Sequence, residues 1–321
     1  MKKFLLFGMA IMIILSALLV GGCAGKQESA VKTNVNNGQA KIVRIGTVPL
    51  PFYSHMWVAY KKGFLAEELN KAGFQLIWKP INLGPVVSES FAAGELDMGV
   101  MGDLPAFVGR SSGIQYTIVS ASDIAKAHAL LVNPKSGIRG IADLKDKKVA
   151  TTKNTSGYEL LSVFLEKEGM TFDDIHFVNM SMADLGQALI KGDIDAGVVW
   201  EPSVTRLESG MKLVVDGEIC ANYAVLLAGD EFLKDNPAAI EAVNKAYGRG
   251  YEYLKENPDE CLKMLAIVFK ISEAELKPMI EKYEPVPFND KVLADLNDQE
   301  AFLSKAKIMK GAVDTKTFIH R

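Results

Sequence analysis

The chain has little of what a catalyst or a nucleic-acid binder needs. Of 321 residues only three are cysteine and four histidine. His55, His128, His176 and His320 are scattered, and none stands at metal-ligand spacing from another histidine or a cysteine. No Gly-x-Ser-x-Gly elbow, phosphate loop or calcium-loop spacing occurs, so no cofactor or metal is expected. Charge is nearly balanced, at −3. No basic run occurs in the part expected to fold, which argues against a nucleic-acid partner; Lys145, Lys147 and Lys148 are interrupted by Asp146 and read as a solvated turn.

What is present begins with an export signal. Met1-Lys2-Lys3 is basic, Phe4 to Val20 is apolar, and Val20-Gly21-Gly22-Cys23 ends the run with small residues before a cysteine. This order reads as a signal peptide over 1–22 whose Cys23 becomes the lipidated first residue of the mature protein. Residues 23–40 are polar with nothing to bury and read as a flexible tether from lipid to folded domain. The protein is therefore expected outside the cytoplasm, held at a membrane through Cys23. The other cysteines, Cys220 and Cys261, lie in mostly apolar segments, where buried thiols are commoner than a disulfide.

The folded part is organised around a stretch that occurs twice. Gly94-Glu95-Leu96-Asp97-Met98-Gly99 returns as Gly192-Asp193-Ile194-Asp195-Ala196-Gly197. In each copy a helical run ends at a glycine, a charged turn follows, and a short apolar run reads as a buried strand. Asp97 and Asp195 precede their strands, so they are read as structural groups of the turns and not as a catalytic pair. Each strand ends at a break containing proline, Gly102-Asp103-Leu104-Pro105 in one half and Trp200-Glu201-Pro202 in the other. Ligands of parallel α/β sheets sit beyond the carboxyl ends of strands, so two facing halves would enclose one cleft.

Strands are expected at Ile42–Gly46, Phe74–Lys79, Tyr116–Ser120, Ala127–Val132, Lys148–Thr151, Ile175–Val178, Lys212–Val215 and Tyr223–Leu227. From Glu231 the pattern turns helical, with starts at Asn236-Pro237, Asn257-Pro258 and the capping box Ser272-x-x-Glu275, and no later strand is evident. That block reads as a closing layer around the first lobe. Pro85 suits the first turn of a helix whose free amides could receive an anionic group. The turn Asn154-Thr155-Ser156 precedes another helix and offers a second such cradle.

Together the lipobox, Gly46-Thr47-x-Pro49, Lys62-Gly63-Phe64, the two glycine-aspartate copies, Gly102-Asp103-x-Pro105, Ser136-Gly137-Ile138, Asp143-Leu144-Lys145, Trp200-Glu201-Pro202 and Asn257-Pro258 resemble the solute-binding proteins of ABC importers. Among these the nearest likeness is to the branch handling aliphatic sulfonates, taurine, nitrate and thiamine-precursor-like compounds. The resemblance implies an α/β, two-lobed periplasmic-binding-protein type II fold with mostly parallel sheets and two crossing strands. It places lobe I at 41–132 plus 225–321 and lobe II at 133–224, with the first crossing at Asn133–Gly137. It further implies a monomeric, non-enzymatic carrier that binds a small-molecule ligand and hands it to an ABC permease with its ATPase.

Carried over position by position, the ligand-facing residues would be Phe52, Tyr53 and His55 after the first strand, Asn82 and Gly84 at a helix start, Gly102 and Asp103, then Asn154, Thr155 and Ser156, Ala183, and Trp200 with Glu201. Sulfonate and nitrate binders need mainly hydrogen-bond donors, yet this set has two carboxylates and no arginine. A ligand with an amine beside its acidic head would relieve that conflict, with Asp103 and Glu201 as partners of the cation. Alternatively either carboxylate caps a helix or pairs with a lysine outside the pocket. Two other functions stay open on the same fold: a cleft-based sensor or adhesive lipoprotein, and an enzyme of thiamine-precursor or menaquinone chemistry.

Overall fold

In the computed structural model, residues 40–125, 128–207, 212–216, 222–281, 283–284 and 287–320 are described. The leader, Cys23, the tether up to residue 39 and Cys220 lie outside them. No helix among the described residues is long and apolar enough to cross a membrane.

The chain opens with β1 (Lys41–Thr47), α1 (Ser54–Lys61), α2 (Phe64–Lys71), β2 (Phe74–Pro80), α3 (Gly84–Ala92), β3 (Met98–Gly102), α4 (Asp103–Ser111) and β4 (Tyr116–Ala125). It continues through β5 (His128–Val132), β6 (Lys148–Thr151), α5 (Ser156–Lys167), β7 (His176–Asn179), α6 (Met182–Lys191), β8 (Ala196–Trp200), α7 (Ser203–Leu207) and β9 (Lys212–Asp216). It closes with β10 (Tyr223–Gly229), α8 (Asp230–Asp235), α9 (Pro237–Glu256), α10 (Pro258–Phe269), α11 (Glu273–Ile280), β11 (Tyr283–Glu284), α12 (Asp290–Lys305) and α13 (Thr315–Phe318).

Two sheets result, ordered β11-β4-β10-β3-β1-β2 and β7-β6-β8-β5-β9. Within each, a βαβαβ unit pairs in parallel, β1 with β2 and β3, and β6 with β7 and β8. The strands added beyond them, β10, β4 and β11 in one sheet and β5 and β9 in the other, are antiparallel. The fold is thus the two-lobed type II binding-protein architecture with mixed sheets, and the mostly parallel expectation holds only for the βα units. A return strand needs no crossover helix when it runs antiparallel, which is how β10 pairs with β3 on re-entering the first sheet.

The first crossing falls earlier than expected. His128–Val132 pairs with β8 and β9 in the second sheet, so the chain changes sheets between Ala125 and His128 and not at Asn133–Gly137. A five-residue buried run carries no period that names its partner, so this strand read equally well in either lobe. Its alternate residues feed opposite faces: Leu130 and Val132 pack with Leu160, Leu161 and Phe164 of α5, whereas Ala129 and Leu131 pack with Leu185 and Leu189 of α6. A sheet covered on both faces needs such continuous apolar strands. The return crossing lies between β9 and β10, as expected.

The carboxyl-terminal helices form the expected layer on the first lobe. Gly250 in α9 lets that helix approach α1 so closely that a methyl group there would meet the His55 carbonyl oxygen. Asn236 and Asn257 precede Pro237 and Pro258, but neither side chain caps the helix it precedes. Their amides turn back and donate to the Phe232 and Tyr253 carbonyls, closing the preceding helix instead. The two-residue β11 on the edge of β4 was not foreseen. Nor was α12's reach to the second lobe, where Gln299 Nε2 donates to both Glu159 carboxylate oxygens at 3.1 and 3.0 Å and Lys305 pairs with Glu166 at 2.6 Å.

Candidate functional site

The main cleft lies where the loops after strands of both sheets meet. From the first lobe it receives Val48, Leu50, Phe52 and Tyr53 after β1, then Leu83, Gly84 and Pro85 at the start of α3, and Gly102 and Pro105 after β3. From the second it receives Thr155 and Ser156 at the start of α5, Trp200 and Glu201 after β8, and His128 at the start of β5. Asn222, just ahead of β10, and Tyr283 in β11 complete the wall.

Eight of the residues expected to face a ligand are therefore assembled: Phe52, Tyr53, Gly84, Gly102, Thr155, Ser156, Trp200 and Glu201. The other five are not among the lining residues. His55 is buried behind the cleft with its ring edge-on to Tyr247 and Tyr251, at 5.9 and 5.1 Å. Asn82 and Ala183 are exposed, and Asn154 is half-buried in a turn where its φ is +61°. Asp103 is completely buried below the floor: Oδ1 accepts from the Leu104 N–H at 2.7 Å and Oδ2 from the Tyr223 N–H at 2.8 Å. It ties α4 to the second crossing and does not reach the cleft. Asp103 thus serves the backbone, neither capping α4, whose cap position is Gly102, nor pairing with a lysine among its hydrogen bonds here.

Glu201 does line the cleft, though only 1% exposed. Its Oε2 accepts from the Thr205 N–H at 3.1 Å and its Oε1 from the Thr205 hydroxyl at 3.0 Å. Among the described residues, no lysine or arginine lines the cleft. His128 is 8% exposed, burial pushes its imidazole down to about 4, and the ring is neutral at physiological pH. Its Nε2 and the Ser156 hydroxyl lie 2.8 Å apart.

Two helix starts add backbone amides to the side-chain donors of the wall. Thr155 precedes α5, but its hydroxyl donates back to the Thr152 carbonyl at 2.6 Å and makes no cap bond. Leu83 precedes α3 and has no polar side chain to cap it. Two helices from opposite lobes therefore begin at the cleft with first-turn amides uncapped by side chains, where the helix dipole favours negative charge. Gly157 is needed for this arrangement, because a Cβ there would stand 2.7 Å from Thr151 Oγ1 and 3.3 Å from the Trp200 ring. Bare backbone lets α5 begin against the indole.

The rest of the wall is apolar and aromatic. The Phe52 ring lies 5.0 Å from Tyr53 and 5.4 Å from Tyr283. Burial raises the Tyr53 phenol well above its ordinary value, and the Asp103 charge adds to that. One polar group is unmet: Asn222 is 4% exposed and its Oδ1 has no hydrogen-bond partner among the described residues. A buried acceptor left unpaired costs about 1–3 kcal/mol. Asn222 and Tyr283 were missed because each sits alone beside a crossing or a two-residue strand.

Residues 52–261 match the family model "NMT1/THI5 like". The chain belongs to that family. A Bacillus subtilis (strain 168) protein, whose name marks it as an inferred aliphatic sulfonates-binding protein, is 26% identical over 99% of this chain and 95% of its own length. The taurine-binding periplasmic protein of Escherichia coli (strain K12) is 25% identical over 78% of each chain. The alkanesulfonate-binding protein of Xanthomonas axonopodis pv. citri, solved with MOPS bound, superposes with a TM-score of 0.78 over 88% of this chain and 99% of its own, at 22% identity, a likeness that shows the fold. This chain's fold is that of the alkanesulfonate-binding protein. Among the described residues no group of three or more His, Cys, Asp or Glu could hold a metal ion.

Proposed function

We propose that this NMT1/THI5-like protein captures a small organic acid of the sulfonate class in the cleft between its lobes and delivers it to an ABC permease, while anchored outside the cytoplasm through lipidated Cys23. One observation carries the ligand class: α3 and α5 begin at the cleft from opposite lobes with no side-chain caps, in a wall where no lysine or arginine stands among the described residues. A sulfonate has three acceptor oxygens and one delocalised charge, which converging amides can share without a cationic side chain. Phe52, Tyr53, Trp200 and Tyr283 would take the carbon skeleton. The names of the relatives support the same class.

Asp103 is withdrawn as partner of a ligand amine, since the backbone of Leu104 and Tyr223 occupies it. The thermal stability of the protein against a panel of simple sulfonates, aminosulfonates, amino acids, nitrate and pyrimidines tests the reading, because a ligand bound only by the folded state raises the melting temperature. Sulfonates are expected to give the largest shifts. Shifts confined to pyrimidines or amino acids would overturn the ligand class and leave the fold assignment intact.

A further inference from the structure

Asn222 is the polar group of the cleft that the protein does not use. The other polar side chains whose contacts are defined have partners in the protein: Thr155 Oγ1 on the Thr152 carbonyl, Ser156 Oγ with His128 Nε2, and Glu201 on Thr205. Asn222 Oδ1 has none among the described residues, although the side chain lines the cleft and is almost fully buried. It stands over Gly102, where a Cβ would approach Oδ1 to 3.5 Å, and its neighbour Tyr223 is pinned through its N–H to Asp103 at 2.8 Å. The backbone beside the amide is therefore held in place.

We propose that Asn222 is a specificity-determining ligand contact, its side-chain carbonyl accepting an N–H from the bound solute, so that the cleft selects organic acids that carry an amine besides their acidic head. The assignment rests on the sulfonate reading and deepens it. Asn222 and Glu201 are both acceptor-bearing residues of a cleft wall that has no lysine or arginine among the described residues, so an ammonium group on the ligand would meet acceptors there while its sulfonate meets amides at the helix starts. A plain alkanesulfonate satisfies only the second set and leaves Asn222 unmet on closure.

The test is calorimetry of the full-length chain in detergent with taurine and ethanesulfonate, a pair that shares the sulfonate head and a two-carbon stem and differs in the amine. Wild-type protein is expected to prefer taurine by roughly tenfold to a hundredfold, the usual size of a hydrogen bond to a charged group. Asn222→Leu should abolish that preference, lowering taurine affinity by roughly tenfold or more relative to ethanesulfonate. Asn222→Asp, which keeps the acceptor and adds charge, should keep or widen it. If Asn222→Leu weakens both ligands equally, or Asn222→Asp destroys binding of both, the amide donates to the sulfonate instead and the proposal is overturned. Equal wild-type affinity for the two also overturns it, with the sulfonate reading intact. Binding of neither to wild-type protein would end both.

Discussion

Asp97 and Asp195 make the same bond in the two halves of the molecule. Asp97 Oδ2 accepts from the backbone N–H of Arg44 in β1 at 2.7 Å, and Asp195 Oδ2 accepts from that of Lys148 in β6 at 2.9 Å. The likeness extends along the strands: the Thr47 hydroxyl donates to the Val100 carbonyl and the Thr151 hydroxyl to the Val198 carbonyl, each at 3.0 Å. The doubled sequence motif is thus a device that locks each turn to the first strand of its βαβ unit.

These aspartates should matter for stability and not for ligand. Asp97 also holds the Arg44 guanidinium, at 2.6 Å, and is the more buried of that pair. Asp97→Ala is expected to cost about 2–3 kcal/mol and Asp195→Ala about 1–2, the range for hydrogen bonds to charged groups. Urea unfolding measures both. Ligand affinity falling tenfold in either variant, with the fold retained, would contradict the structural role.

Acid should stabilise the folded chain over one window. Burial raises Asp103 to about 6, with bonds from Tyr223, Gln299 and Leu104 opposing, and burial followed by the Asp103 charge raises Glu159 well above its ordinary value. Gln299 is the hydrogen-bond partner of Glu159; Tyr53 and Tyr223 lie within the field of Asp103, and Tyr223 also bonds Asp295, which Lys291 pairs from the surface. Raised carboxyl pKa values mean that the folded state holds protons the unfolded chain has released. Their contribution is full below the unfolded values near pH ~4 and is lost as pH rises through about 6 and beyond. Glu159→Gln should therefore gain stability at pH 8 relative to wild type, on the order of 1–3 kcal/mol, and little at pH 5. Parallel stability profiles for the two proteins would contradict this.

Closure of the lobes should be visible in solution. Glu159 with Gln299, Glu166 with Lys305 and Arg206 with Glu275 each join the second lobe to carboxyl-terminal helices of the first. Opening about the crossings near residues 125–128 and 216–223 would part them. Scattering should report a smaller radius of gyration with ligand, and Gln299→Ala should enlarge the ligand-free value. Identical profiles at verified saturation would contradict hinge closure.

Much of this fold was legible in the sequence because its signals are local. Pro258–Phe269 was bounded by a proline at one end and loss of the apolar period at the other, and Ser272 with Glu275 forms the reciprocal capping box that their spacing announced. Strand partners are not local, so β5 was placed in the wrong sheet and β11, with two residues, left no pattern at all. The site divides the same way. Loops that follow strands were readable as cleft walls, which brought in Gly84, Thr155 and Trp200. Ala183 was not brought in because the loop after β7 leaves it exposed, and Asp103 was lost because side-chain direction at a helix start decides between floor and cleft. Asn222 carried no signal in sequence, since its importance lies in a partner it does not have.

The central claim is that helix-start amides hold an anionic head in the cleft. It is tested most directly by calorimetry with ethanesulfonate and its uncharged relative ethyl methyl sulfone, which keeps two sulfonyl oxygens and the short carbon chain. Ethanesulfonate is expected to bind at least about a hundredfold more tightly, as charge-assisted bonds to several fixed amides require. Equal affinity for the two, or tighter binding of the sulfone, would contradict the account.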